Sequence, residues 1–148
     1  MEIGVLNGEN AVTMVRMAIQ KFPPEEIEYY GFDYFPDYRF GVIEKKLEET
    51  GCKFKLFRGD TLDSLPKVVD DLPKMDLIFI DGSKSFLTAM SDWENAKKLM
   101  HEKTGVFVHN YEYSGIRKMV DNISRESYSV GIIHPQLDCD TAFIKKKN

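Results

Sequence analysis

Cysteine is scarce in this sequence: Cys52 and Cys139 are the only two, far apart and in no Cys-x-x-Cys pattern. That excludes a disulfide framework and a cysteine-rich zinc knuckle, and it suits reduced thiols in a cytosol. No apolar run approaches the roughly twenty residues of a membrane span, and the first residues lack a basic stretch ahead of an apolar signal core. A cytoplasmic protein with no membrane partner is the expectation. Clustered positive charge is also missing: the net charge is -4 and Lys145 to Lys147 is the only basic run. No segment therefore advertises nucleic acid, and a small-molecule partner is expected instead. Repeats, low-complexity tracts and Pro/Gly-rich linkers are absent too. With 148 residues and 43% hydrophobic content, the chain reads as one domain over residues 1–148.

What is present is an alternation of two kinds of segment. Short apolar runs bounded by Gly or Asp occur at Ile3–Leu6, Tyr29–Phe35, Phe54–Phe57, Leu77–Ile80, Val106–Val108 and Val130–Ile133, and they read as strands. Between them, apolar residues recur every three or four positions: Val12, Val15, Ile19 and Phe22; Phe40, Ile43 and Leu47; Leu62, Leu65, Val68 and Leu72; Phe86, Met90, Trp93 and Met100; Ile116, Met119, Val120 and Ile123. Such spacing puts them on one face of a helix. Strand and helix in regular alternation imply an α/β fold, a mostly parallel sheet with helices on both faces. "DLIFID", apolar at consecutive positions, belongs in the centre as a strand buried on both faces, whereas the alternating "KFKLFR" belongs near an edge. The closing "TAFIKKK" follows its predecessor after a short loop, so it should run antiparallel to it.

In such a doubly wound sheet ligands bind beyond the carboxyl ends of the strands, where strand order reverses. The first strand runs into Gly4-Val5-Leu6-Asn7-Gly8; the others end at Asp33, Gly59-Asp60, Asp81-Gly82-Ser83 and His109-Asn110-Tyr111. A glycine lets backbone pass close to a ligand, and a carboxylate after the second strand can accept from both hydroxyls of a ribose. Asp60, followed by Thr61 and a helix, is equally a helix cap.

The ordered set "EIGVLNG", "GFDYF", "LFRGDTLDSLP", "DLIFIDGSKSF" and "GVFVHNY" resembles the class I S-adenosylmethionine-dependent methyltransferases, in particular the small-domain group whose fourth strand ends in an "IDGSHSY" type of sequence. The resemblance covers nearly the whole chain. It implies a three-layer, seven-stranded sheet of order 3-2-1-4-5-7-6 with an antiparallel last strand. It also implies S-adenosylmethionine as cofactor, and methyl transfer to oxygen of a small molecule or saccharide. Glu2, Gly4 and Gly8 then match the motif that holds the methionyl end, Asp33 the ribose-binding acid, Asp60 the residue near the adenine amino group, and Asp81 the position next to the methyl. Phe32 or Tyr34 would supply an adenine-facing ring. An alcohol acceptor further needs its proton removed, by a side-chain base or by a metal. Lys84 and His109 are the candidates for the base, beside Asp81. In metal-assisted relatives a carboxylate after the fourth strand and an Asp-Asn pair after the fifth hold a divalent cation. Here those positions are Asp81, His109 and Asn110, a set suited to manganese or zinc rather than magnesium, with a watered polar cluster as the simpler reading.

Three departures from the pattern stand out. Leu6 replaces a glycine, Lys84 replaces a histidine, and the sequence starts at the first strand where the family carries helices that roof the cofactor, so the expectation is either a minimal or truncated domain or a roof supplied by a homo-oligomer or the substrate. Trp93 is expected in the core, Tyr111 and Tyr113 at the mouth or its rim, His101 at a helix end and His134 at a strand end. Two rivals remain at this point: a nicotinamide-dependent dehydrogenase, disfavoured by the absence of Gly-x-Gly-x-x-Gly, and a non-catalytic binding or dimerisation domain of the same fold.

Overall fold

The structure, a computed structural model, describes residues 1–147. Seven strands form one sheet of order β3-β2-β1-β4-β5-β7-β6: β1 (Glu2–Ile3), β2 (Glu28–Asp33), β3 (Lys53–Arg58), β4 (Met75–Ile80), β5 (Met100–Val108), β6 (Tyr128–Ile133) and β7 (Thr141–Lys146). Every pair is parallel except those made by β7, which runs antiparallel to both β5 and β6. The expected order and the antiparallel ending are both present, with β3 at one edge. Five helices alternate with the strands: α1 (Glu9–Ile19), α2 (Asp37–Glu48), α3 (Thr61–Val68), α4 (Phe86–Ala96) and α5 (Ser114–Asp121).

Helical spacing decides which face each helix buries. Ala11 and Val15 of α1 meet Ile43 and Leu47 of α2 over Tyr29, while Leu65 of α3, Trp93 of α4 and Met119 of α5 pack on Ile3, Phe32, Ile78, Ile80, Val106 and Ile144. Trp93 is core, as expected, edge-to-face with Tyr128. Burying each of the larger of these side chains contributes on the order of 2 kcal/mol.

Several expectations need correction. β1 stops at Ile3 rather than Leu6, because Gly4 and Leu6 adopt φ of 88° and 53°, which no strand accommodates. β2 does end at Asp33, as its strand-end position implied, but short of the apolar run to Phe35, since Phe35 has φ 44°. Met100 opens β5 instead of closing the preceding helix, and His101 lies in that strand with Nε2 3.0 Å from Asp76 Oδ1. β4 is central yet buried on one face only: Leu77 is 38% exposed. Alternation puts Leu77, Phe79, Phe107 and Phe143 together on the opposite face from Ile78, Val106 and Ile144. The helices of that opposite face, α1 and α2, stand over β2 rather than over β4, β5 and β7.

A cavity of about 630 Å³ lies at the amino ends of β2 and β4, lined by Met14, Ala18, Phe22, Tyr30, Met75 and Leu77 among others. That is the sheet edge opposite the one where doubly wound folds bind ligands.

Candidate active site

The strand register brings the candidate residues into one row. Ile3 pairs with Phe32 and with Ile80, and Ile80 pairs with Val108. The next residue on each strand is therefore Gly4, Asp33, Asp81 or His109, all at the carboxyl edge. Backbone bonds extend the ladder to that row: Gly4 N–H donates to Phe32 O at 2.8 Å, Asp81 N–H to Ile3 O at 2.8 Å and His109 N–H to Ile80 O at 3.0 Å. The row straddles β1 and β4, the point where strand order reverses.

Asp33 anchors the loop after β1. Its Oδ2 accepts the amides of Val5 and Leu6, each at 2.8 Å, and Oδ1 has no partner among the described residues. Gly4 is required by close approach, since a Cβ there would collide with the Asp81 carbonyl oxygen. Leu6 holds a left-handed conformation that costs a non-glycine residue about 1 kcal/mol, and its side chain is 62% exposed. Lys46 Nζ, not foreseen, closes the loop from α2 by donating to Asn7 O at 2.9 Å and pairing with Glu9 at 2.6 Å.

Glu2 has a different place from the expected one at the methionyl end. It is 1% exposed, with one oxygen taken by the Tyr29 hydroxyl and the other by Asn10 Nδ2 at 2.7 Å. Burial pushes its carboxyl up despite those two donors. Glu2 thus supports the start of α1 from inside, and Asn10, adjacent on the helix, is the residue it positions.

Of the two aromatic candidates, Phe32 is fully buried and stacks on Phe57 with centroids 4.5 Å apart. Tyr34 is 65% exposed, and its hydroxyl donates to Asp60 Oδ2 at 2.8 Å. Asp60 caps α3 through Oδ1, which accepts the Leu62 amide at 3.0 Å. The Leu62 amide, then the Tyr34 hydroxyl, hold its carboxyl below the usual range. Its capping role and its place beside the row coexist.

Asp81 forms an ion pair with Lys84, whose ammonium also donates to Gly82 O at 3.1 Å. His109 turns the other way: Nδ1 lies 3.1 Å from Thr141 Oγ1, and Nε2 lies 3.5 Å from Asp138 Oδ1 on the β6–β7 loop. Asn110 adopts φ 61°, which an asparagine tolerates in a turn. The expected metal set of Asp81, His109 and Asn110 does not fit a cation, because Lys84 already neutralises Asp81 and His109 faces other partners. Tyr111 is half-buried beneath Arg117, 5.3 Å from its ring centroid, while Tyr113 is 53% exposed at the rim.

Two residues near the site carried no sequence signal. Gly115, at the start of α5, leaves no room for a Cβ against the backbone of Lys84 and Phe86. Asp92 of α4 is 1% exposed below the loops after β3 and β4, beside Gly82 and Thr61. Burial pushes its carboxyl up to about 6, with the Thr61 hydroxyl opposing. Neither oxygen makes a hydrogen bond of good geometry among the described residues, so we regard Thr61 as a neighbour rather than a satisfied partner.

A family model described as "Methyltransferase domain" matches residues 1–111, which contain the whole row. The chain belongs to this methyltransferase family. Solved structures of the same fold include three O-methyltransferases. The TDP-rhamnose 3′-O-methyltransferase of calicheamicin biosynthesis, in its apo form, has TM-score 0.83 at 15% identity, over 100% of this chain and 71% of that one. The enzyme from Streptomyces achromogenes involved in tomaymycin synthesis, in complex with SAM, has TM-score 0.81 at 17% identity, over 99% and 72%. The enzyme from Bacillus cereus, in complex with SAH, has TM-score 0.78 at 18% identity, over 99% and 72%. No curated protein sequence matches significantly. Family membership sets the dehydrogenase alternative aside. Among the described residues no helix is long and apolar enough to cross a membrane.

Proposed function

We propose that this chain binds S-adenosylmethionine along the carboxyl edge of its sheet and transfers the methyl group to an oxygen of a small molecule or saccharide. The observation that carries the reading is the row of Asp33, Gly4, Asp81 and His109 at the strand-order reversal, in a chain of a methyltransferase family. The residues suit such a cofactor. Asp33 keeps one carboxylate oxygen without a partner for a ribose hydroxyl while the other pins the loop, and Tyr34 presents an exposed ring on the same edge for the adenine.

The cofactor, when bound, supplies a methyl group already activated on a sulfonium, so the protein has to align an acceptor oxygen and exclude water. The Lys84 ammonium, fixed by Asp81 and the Gly82 carbonyl, steadies negative charge on an acceptor oxygen that is losing its proton. With Lys84 held as the ammonium, Asp81 and His109 are the groups of the site left to take that proton.

We place the protein in the cytoplasm, in keeping with its two free thiols. Any homo-oligomer would form over the face of β4, β5 and β7 that carries Phe79, Phe107 and Phe143. The test of the activity is incubation of purified protein with S-adenosylmethionine and a panel of nucleotide sugars and phenols, read by mass spectrometry. Gain of one methyl on an acceptor, lost in Lys84→Met, is expected. Cofactor binding without transfer to any acceptor would favour the binding-domain alternative.

A further inference from the structure

The β6–β7 loop gathers side chains that the methyl-transfer reading leaves unused. His109 Nε2, an Asp138 carboxylate oxygen and Cys139 Sγ all lie within 4.8 Å of one another. We infer that these three side chains bind a borderline-soft divalent cation, Zn²⁺ in the first instance, which clamps the β6–β7 loop to the end of β5.

The His109 ring is already oriented for this. Thr141 Oγ1, itself 9% exposed, stands 3.1 Å from Nδ1 and 3.5 Å from Cys139 O. When the hydroxyl accepts Nδ1–H and turns its own proton to that carbonyl, Nε2 directs its lone pair into the space enclosed by Asp138 and Cys139. Metal-bound histidines characteristically donate the other ring N–H in this way, which sets the tautomer. A lone pair facing a carboxylate oxygen at 3.5 Å is best satisfied by a positive charge between them. A proton would suffice for an ion pair, but it gives Cys139 Sγ no part, and the thiol makes no hydrogen bond among the described residues. A thiolate, an imidazole and a carboxylate make a zinc-type donor set, with the fourth tetrahedral position left to water or another oxygen.

The loop that carries two of the ligands is held in place independently of any ion. Tyr111 N–H donates to Asp140 O at 2.8 Å, Asp140 N–H donates to Glu112 Oε1 at 2.6 Å, and His134 Nδ1 pairs with Asp140 Oδ1 at 2.8 Å. Asp138 Oδ1, the oxygen 3.5 Å from Nε2, also accepts the Cys139 amide at 2.7 Å, which fixes the carboxylate and leaves its second lone pair for the ion. Side-chain rotation within this scaffold closes the remaining distance to the ~2.0–2.3 Å of zinc ligands. Binding releases the Cys139 thiol proton to solvent. It also occupies the His109 lone pair, so that proton removal from an acceptor in the ion-loaded protein falls to the Asp81 carboxylate, with the Lys84 ammonium beside it.

The test uses the full chain stripped by chelator and titrated with Zn²⁺ alone, then with Co²⁺ as a spectroscopic substitute. One equivalent of Zn²⁺ per chain and a thiolate-to-cobalt charge-transfer band are expected. Cys139→Ser should abolish the band and weaken Zn²⁺ by about tenfold or more. Cys52→Ser, a buried thiol packed beneath α1 and α2, should change neither, and circular dichroism checks that both variants fold. Failure to bind Zn²⁺ stoichiometrically, or a cobalt band that survives Cys139→Ser, would overturn the site. Neither readout depends on methyl transfer, so failure here leaves the proposed activity standing.

Discussion

The first turn of α5 rests on the backbone of Lys84: a Cβ on Gly115 would collide with the Lys84 carbonyl oxygen and stand 2.8 Å from the Phe86 amide nitrogen. The helix after β5 therefore sets the height of the loop after β4, where Asp81 and Lys84 are paired.

Gly115→Ala must push that loop aside, because the obstructing atoms are backbone and cannot rotate away. Urea unfolding should show a loss of about 1–3 kcal/mol, the usual cost of overpacking. Cofactor affinity, set on the far side of β1 by Asp33, should hold while turnover falls. A stable variant with unchanged turnover would mean that the loop position does not matter.

Leu6→Asn should act in the opposite direction. Leu6 is 62% exposed and sits at φ 53°, so the substitution gives up little burial and relieves an unfavourable backbone conformation. Unfolding free energy should rise by ~0.5–1 kcal/mol. A fall would show that the leucine side chain is held by contacts that outweigh its backbone cost.

Asp92 makes stability depend on pH with a definite sign. Its carboxyl titrates at about 6 in the fold against 3.8 for the free side chain, so between those values the folded state holds a proton that the unfolded state has lost. Stability therefore falls as pH rises from about 4 to about 6 and stays down above that, by up to about 3 kcal/mol. Asp92→Asn removes the buried charge. It should match the parent near pH 4 and melt higher than it at pH 7. Parallel melting curves at both pH values would refute the assignment.

Much of this was legible in the sequence, for reasons that individual residues make plain. The 3.6-residue spacing of Val12 and Val15, or of Ile116, Met119 and Val120, survives in the fold because each stripe buries against the sheet. The acids that end β2 and β4 fell in one row because strand ends in a parallel sheet share an edge. What the sequence hid depends on contacts distant along the chain. Glu2 reads as a ligand-facing acid until Tyr29 and Asn10 are seen to enclose it. Phe32 and Tyr34 have the same parity and are indistinguishable until β2 is seen to end at Asp33, which leaves Phe32 in the core and Tyr34 beyond the strand in solvent. His109 looked toward Asp81 on paper, and only the return of β7 beside β5 puts Thr141 and Asp138 against it. Gly115 carries no turn or motif, and its meaning lies entirely in the Lys84 backbone above it.

The central claim is that Asp33 and the loop it anchors form a cofactor site, and calorimetric titration with S-adenosylhomocysteine tests it most directly. The parent should bind with micromolar affinity. In Asp33→Asn the side-chain oxygen can keep the Val5 and Leu6 amides while the amide nitrogen replaces the unpartnered acceptor. Binding should then weaken about ten- to a hundredfold, the worth of a hydrogen bond to a charged group, with the melting temperature little changed. No binding by the folded parent, or equal binding by the variant, would contradict the account.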